Sequence, residues 1–252
     1  FEPSTEQVIA WADRHFGVGF DQLLLVEKSD NPDAMFRYRI FNADGGEVSQ
    51  CGNGARCFAR FVHEYGLTDE RVISVETSTG LLRLELLDQQ QVRVNMGIPE
   101  FEPARIPFKA AARAASYPLE LDGEYFRIHA LSLGNPHAVV VVDDVDNFDV
   151  ESVGAALESH PDFPQRVNAG FMQIIDRDHF KLRVFERGVG ETLACGSGAC
   201  AALVAGQVAA LLDRTATAEL RGGELQLDWP GEGEPVMMTG ATAIAFEGEL
   251  KL

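Results

Sequence analysis

The chain has 252 residues, is 46% apolar and carries a formal net charge of −18 at pH 7. That charge argues against nucleic acid or an anionic membrane surface as partner, and no apolar run reaches the roughly 18 residues that a membrane helix needs. Four cysteines in a chain this long do not read as a disulfide framework, so a reduced, cytoplasmic protein of one large or two ordinary domains is expected.

In chain order, Pro3-Ser4 opens a helix over residues 5–14, with Ser4 as its N-cap. Phe20–Val26 and Arg37–Phe41 cluster or alternate apolar residues as strands do, with Asp30-Asn31-Pro32-Asp33 as the turn between them. Gly54–Tyr65 reads as a helix ended by Gly66, and Val72–Glu76, Leu81–Leu87 and Gln91–Met96 as a strand meander. Pro99–Pro118 is proline-rich and low in pattern, and is expected to be a linker. Tyr125–Leu133 and Ala138–Val142 then read as strands around Gly134-Asn135-Pro136-His137, Asn147–Ser159 as a helix, and Gly198–Leu212 as a helix of small residues. A last strand is expected within residues 241–252.

The second half repeats the first. Aligned on Cys51 and Cys195, Phe41 meets Phe185, Gly46 meets Gly190, Glu47 meets Glu191, Gly54 meets Gly198 and Ala55 meets Ala199. Gly19-Phe20-Asp21-Gln22 echoes Gly170-Phe171-Met172-Gln173, and Gly80-Leu81-Leu82 echoes Gly223-Glu224-Leu225. The expectation is an α/β (α+β) protein of two pseudo-symmetric domains, each a strand-rich sheet or barrel wrapped around a central helix. The first domain would take residues 1–98 plus 241–252, the second 99–240. The strand–turn–strand that opens the second copy has no counterpart in the first, so a native N-terminal hairpin is expected to be missing here.

Cys51 and Cys195 each directly precede Gly-x-Gly at the start of a helix. A free thiol titrates near 8.5, falling to roughly 3.5–7.5 at a helix N-terminus, and the adjacent N–H groups suit a carboxylate. Two such cysteines related by internal symmetry suggest one base for each face of a carbon: racemisation or epimerisation without a cofactor. Cys57 and Cys200, inside the helices, read as small core residues. No Cys-x-x-Cys or neighbouring histidine completes a zinc site, so no metal is expected.

The chain resembles the diaminopimelate epimerase family in Gly-Phe-Asp-Gln (19–22), Phe-Asn-Ala-Asp-Gly (41–45) and Gln-Cys-Gly-Asn-Gly-Ala-Arg (50–56). The likeness continues in Gly-Asn-Pro-His (134–137), Arg-Val-Asn-Ala-Gly-Phe (166–171), Glu-Arg-Gly (186–188) and Ala-Cys-Gly-Ser-Gly-Ala-Cys (194–200). The resemblance implies a cofactor-independent isomerase that interconverts LL- and meso-2,6-diaminoheptanedioate, for lysine and peptidoglycan precursor synthesis. It implies Cys51 and Cys195 as the two bases, with Gly52, Asn53, Gly196 and Ser197 on the reacting α-carboxylate. Asn42, Asn135, Asn168, Glu186 and Arg187, with Gln22 nearby, are implied for the amino groups and the distal carboxylate. His137 and Glu186 are implied as tuners of the thiols. A homodimer is implied too, although Phe246 stands where related enzymes carry a Tyr linked to dimerisation.

A proline or hydroxyproline racemase-type enzyme shares the two-thiol chemistry but has no use for the distal set of Asn42, Asn168 and Arg187. A dithiol redox protein is the alternative from another class; it predicts activity with thiol reductants and none with amino acids.

Overall fold

Ser4 and Gln7 carry a reciprocal start signal: Gln7 N–H donates to Ser4 Oγ (3.2 Å) and Ser4 N–H to Gln7 Oε1 (2.9 Å). In the computed structural model of the chain, which describes residues 1–48, 51–78, 80–88 and 90–250, this capping box opens α1 (Thr5–Ala12). The helix stops short of Arg14 because Asp13 leaves helical backbone angles, and its carboxylate accepts the N–H groups of His15 and Phe16 at 2.7 Å each. Gln50 of the first cysteine motif and residues 251–252 of the expected last strand lie outside the described residues.

The chain divides into two units, Phe1–Val94 with Gly240–Leu252, and Asn95–Thr239. After α1 the first unit contains β1 (Gln22–Glu27), β2 (Phe36–Asn42), β3 (Glu47–Val48) and α2 (Gly52–Glu64), then β4 (Val72–Thr77), β5 (Gly80–Leu86) and β6 (Gln91–Asn95). The strand order is β1-β2-β4-β5-β6, with β3 paired to β2. β2 and β4 run parallel, and α2 lies on the crossover between them. The buried positions of α2 are Gly52, Gly54, Ala55, Arg56, Phe58, Ala59 and Val62, and the apolar side chains among them, Ala55, Phe58, Ala59 and Val62, form one stripe at helical spacing. Phe58 sets its ring edge-on to Tyr38, 4.9 Å between centroids. Cys57 falls off that stripe and is exposed, which corrects its reading as a core residue; Cys200 is buried as expected.

The second unit contains β7 (Tyr117–Leu121), β8 (Glu124–Ser132), β9 (Pro136–Val141), α3 (Val150–Glu158), β10 (Asn168–Ile174), β11 (His179–Glu186) and β12 (Gly190–Thr192). These are followed by α4 (Gly196–Val208), β13 (Thr215–Leu220), β14 (Gly223–Asp228) and β15 (Met237–Ala241). The order is β15-β14-β13-β11-β10-β9-β8-β7, with β12 on β11. Every residue of α4 from Gly198 to Gly206 is buried, so this helix is the centre of its unit, where α2 buries a single face. α3 starts at Val150 instead of Asn147, because the Asp149 carboxylate accepts Ser152 N–H at 3.1 Å while Asn147 is tied to Asp144 in the preceding turn.

The pairing repeats between units element for element. β1–β2, β2–β3, parallel β2–β4 and β4–β5 are matched by β10–β11, β11–β12, parallel β11–β13 and β13–β14. Gly80 and Gly223 close equivalent hairpins with φ of 132° and 133°. The sequence echo at β1 does not survive: Leu23 pairs with Phe41 as Ala169 pairs with Phe185, so Gln22 corresponds to Asn168 and not to Gln173. The glycines misled the alignment, because Gly19 sits in the loop before β1 at φ 79° while Gly170 is inside β10.

The supposed linker is also corrected. Ile106 and Phe108 belong to the core of the second unit, Phe108 stacks on Phe163 at 4.6 Å, and Tyr117 already starts β7. A proline-rich stretch can be packed when it supplies large apolar side chains at intervals. The last described residues form no strand after Ala241; Thr242 N–H donates to Gln90 O at 2.8 Å.

Candidate active site

Both cysteines are N-caps. Cys51 (φ −145°, ψ 116°) precedes α2 and Cys195 (φ −124°, ψ 107°) precedes α4, so each helix starts at the first glycine of its Gly-x-Gly, two residues before the expected start. The second glycines are there for packing. A Cβ on Gly54 would stand 2.5 Å from Tyr38 Oη, and one on Gly198 would stand 3.0 Å from Val184 Cγ2 and 3.3 Å from Cys195 Sγ. These glycines let each helix end settle on its own sheet, which sets the position of the cysteine.

In the first unit Gly54 N–H donates to Cys51 Sγ at 3.4 Å, as at a helix cap. Tyr38 Oη reaches Cys51 O at 3.4 Å. Gln22 and Asn42 face each other across β1 and β2, with Gln22 Nε2 donating to Asn42 Oδ1 at 3.0 Å. Gly52 opens α2 and Asn53 follows in its first turn. Five expected residues thus belong to this unit: Gln22, Asn42, Cys51, Gly52 and Asn53.

The second unit holds the others in a connected polar network. Asn135 Nδ2 donates to Ser197 Oγ (3.4 Å), and His137 Nε2 is 3.0 Å from Asn135 Oδ1. His137 is 1% exposed, and its burial together with the nearby Arg187 charge drives its pKa down to about 3, so the ring is neutral. Its described partner is Asn135, not a thiol. Asn168 Nδ2 donates to Pro136 O (3.0 Å) while its Oδ1 accepts Arg187 N–H (3.0 Å), which pins the Glu186-Arg187-Gly188 turn.

Cys195 Sγ–H donates to Glu186 Oε2 at 3.1 Å and lies 3.7 Å from Ser197 Oγ. Enhanced thiolate character was expected at this helix end. Instead the Cys195 thiol is pushed well above its ordinary range by burial and by the Glu186 carboxylate, and the Gly198 amide and Ser197 hydroxyl offset only part of this. Gly196 is buried beside it.

Two residues that sequence reasoning passed over hold this network. Glu158, at the end of α3, is 6% exposed, and its Oε1 accepts Gly188 N–H (2.8 Å) and an Arg166 N–H (3.1 Å). Thr192 Oγ1 donates to Glu186 Oε1 at 2.6 Å. Thr192 faces Val48 in the aligned repeat, and that mismatch was readable in the sequence; nothing in the pattern marked Glu158.

Among the described residues no group of three or more His, Cys, Asp or Glu side chains is arranged to hold a metal ion. In the second unit the arrangement suits proton transfer at the Cys195 sulfur, beside the Gly198 amide, the Ser197 hydroxyl and the Glu186 carboxylate.

Comparison with known proteins adds the following. The family profile described as diaminopimelate epimerase matches residues 1–102 and 129–244. A protein named diaminopimelate epimerase from Nitrosomonas eutropha is 58% identical over 241 residues, covering 96% of this chain and 86% of the relative. One of the same name from Teredinibacter turnerae is 59% identical over 241 residues, with 96% and 87% covered. Among solved structures, a hydroxyproline epimerase from Agrobacterium vitis superposes with a TM-score of 0.66 at 16% identity, over 92% of this chain and 76% of that one. A putative phenazine biosynthesis PhzC/PhzF protein from Clostridium difficile gives 0.67 at 14% identity, over 100% and 90%. At such identities these two structures speak for the fold alone.

Proposed function

The chain belongs to the diaminopimelate epimerase family, and from that premise we infer that it interconverts LL- and meso-2,6-diaminoheptanedioate, an isomerisation in lysine and peptidoglycan precursor synthesis. The observation that carries the mechanism is the repeat: two cysteines, each capping a helix that opens with Gly-x-Gly and each preceded by an equivalent β-hairpin, one in each unit. One sulfur, as thiolate, takes the Cα proton; the C–H electron pair is left on a planar carbanion stabilised by the adjacent carboxylate. The other sulfur, as thiol, delivers its proton to the opposite face and is left as the thiolate. The reverse reaction exchanges the two roles, so neither sulfur needs a cofactor.

Gly52, Asn53, Gly196 and Ser197, in the first turns of α2 and α4, hold the reacting α-carboxylate at the positive end of each helix. Asn42, Asn135, Asn168, Glu186 and Arg187, with Gln22 nearby, take the amino groups and the distal carboxylate, with Arg187 offering a guanidinium fork. Glu186 raises the Cys195 thiol directly, and His137, neutral and buried, reaches it only through Asn135 and Ser197. A cyclic imino acid has no distal carboxylate for Arg187, which separates this reading from a proline racemase. Solvent deuterium appearing at Cα of diaminopimelate in heavy water is the expected result; no exchange, in protein whose thiols are reduced, overturns the reading.

The chain is further proposed to act in the cytoplasm as a homodimer. Exposed apolar residues of the first unit, Phe61, Tyr65, Leu67, Phe246 and Leu250, with Phe61 and Tyr65 stacked at 4.5 Å, support a subunit contact there. No described helix is long and apolar enough to cross a membrane. Sedimentation velocity is expected to give twice the chain mass, and a single-chain mass at micromolar concentration would refute the dimer.

A further inference from the structure

The two cysteine hairpins share one register, and among the positions where they differ one pair of side chains meets Cys195. At the end of β11 stands Glu186, where β2 ends in Asn42; on the short returning strand β12 stands Thr192, where β3 has Val48. Val48 pairs with Ile40 and Thr192 with Val184, the same register on the two hairpins. A valine therefore fits this backbone position, and the hydroxyl at Thr192 is there for something other than the strand. It donates to Glu186 Oε1 at 2.6 Å, and the other oxygen of the same carboxylate accepts the Cys195 thiol at 3.1 Å. Resting on the epimerase reading above, we propose that Thr192 is a positioning residue: its hydroxyl occupies one oxygen of Glu186 and so turns the other onto Cys195.

The strand that carries Thr192 is itself anchored. Glu191 is gripped by Arg183 through Nε (2.7 Å) and Nη2 (2.8 Å), and by Arg221 Nη1 at 3.0 Å. The remaining groups around Cys195 are the Ser197 hydroxyl and Gly198 amide on α4, then Asn135 and the neutral His137 linked behind Ser197, and the Arg187 charge near His137. Among the described residues Glu186 is the one anion that touches the sulfur. Without the Thr192 hydroxyl the carboxylate has two equivalent oxygens and free rotation about its last bond, so its hold on the proton of Cys195 weakens. Cys195 then ionises more readily.

The test is the pH dependence of iodoacetamide alkylation, read by mass spectrometry separately for the Cys195 and Cys51 peptides of ligand-free protein. Thr192→Val is expected to bring the Cys195 midpoint down by about one pH unit, roughly a tenfold gain in rate at fixed pH below the midpoint. Thr192→Ser should restore the parent profile, and the Cys51 profile should not move in either variant. Adding Thr192→Val to Glu186→Gln should produce no further shift. Superimposable Cys195 profiles for parent and Thr192→Val overturn the proposal. So do equal shifts at both cysteines, a serine variant that behaves like valine, or additive effects with Glu186→Gln. These readouts need no turnover, so a parent protein that fails to exchange Cα protons would refute the epimerase reading and leave this comparison standing.

Discussion

Cys195 and His137 show how burial decides the chemistry of single residues. The thiol of Cys195 is held protonated by burial and by Glu186. Above about 8.5 the unfolded chain releases this proton and the folded chain keeps it, so stability falls as pH rises, by at most about 1.4 kcal/mol per pH unit. His137 has the opposite sign of effect: its pKa is down at about 3, so between the ordinary 6.5 and 3 the unfolded chain binds a proton that the folded chain refuses. Stability is complete above pH 6.5 and is lost as pH falls through that window. Urea unfolding across pH should show both limbs, with Cys195→Ala flattening the alkaline one and His137→Gln the acid one. On the two-base reading, Cys51→Ala or Cys195→Ala abolishes epimerisation, because each turnover needs one thiolate and one thiol; near-normal turnover in either variant would count against it. That both cysteines stand beside a helix start was legible from Cys-Gly-x-Gly; that they are the caps was not, because the helices were expected from Gly54 and Gly198 and begin at Gly52 and Gly196. Nor was the ionisation of Cys195 legible, because its main causes, burial and a carboxylate nine positions upstream brought to 3.1 Å, exist only in the fold.

At the scale of elements, the Gly-x-Gly starts of α2 and α4 are contact points with a neighbouring strand. Gly54→Ala puts a methyl group 2.5 Å from the Tyr38 hydroxyl, whose ring is 3% exposed and has no room to retreat. A loss of about 1–3 kcal/mol is expected, as for other overpacked cores. Tyr38→Phe in the same chain should recover most of it, and a thermal-unfolding double-mutant cycle measures the coupling. Equal losses with and without the Tyr38 hydroxyl would locate the strain elsewhere. Hydrophobic patterning found most strands, because short β-branched and leucine-rich runs bounded by Gly and Asp leave few alternatives. It failed at Pro99–Pro118, where Ile106 and Phe108 reach the core without any periodic neighbour, and at β1, where a matching glycine hid a register shift.

For the whole molecule, the repeat predicts its own redox behaviour. On the proposal that both sulfurs address one carbon, each lies about 3–3.5 Å from it with substrate present, too far apart for an S–S bond of about 2.05 Å. Mild oxidation of ligand-free protein is expected to link Cys51 to Cys195 and stop turnover, with reductant restoring it and substrate protecting. Peptide mapping that finds Cys57 or Cys200 in the bond instead, or finds no protection, refutes the facing thiols. The division of the chain has a different consequence, one of timing. The second unit is a single uninterrupted stretch, Asn95–Thr239, whereas the first is assembled from both ends, Phe1–Val94 and Gly240–Leu252. On the ribosome Phe1–Val94 therefore waits for Gly240 and beyond: Gln90 leaves the exit tunnel long before Thr242, whose N–H and hydroxyl its carbonyl accepts at 2.8 and 3.1 Å. The nested unit can mature during that interval. Arrested nascent chains released just short of Gly240 should protect the inner stretch from protease and leave the outer one open, so that Phe1–Val94, made before the inner stretch, is completed after it.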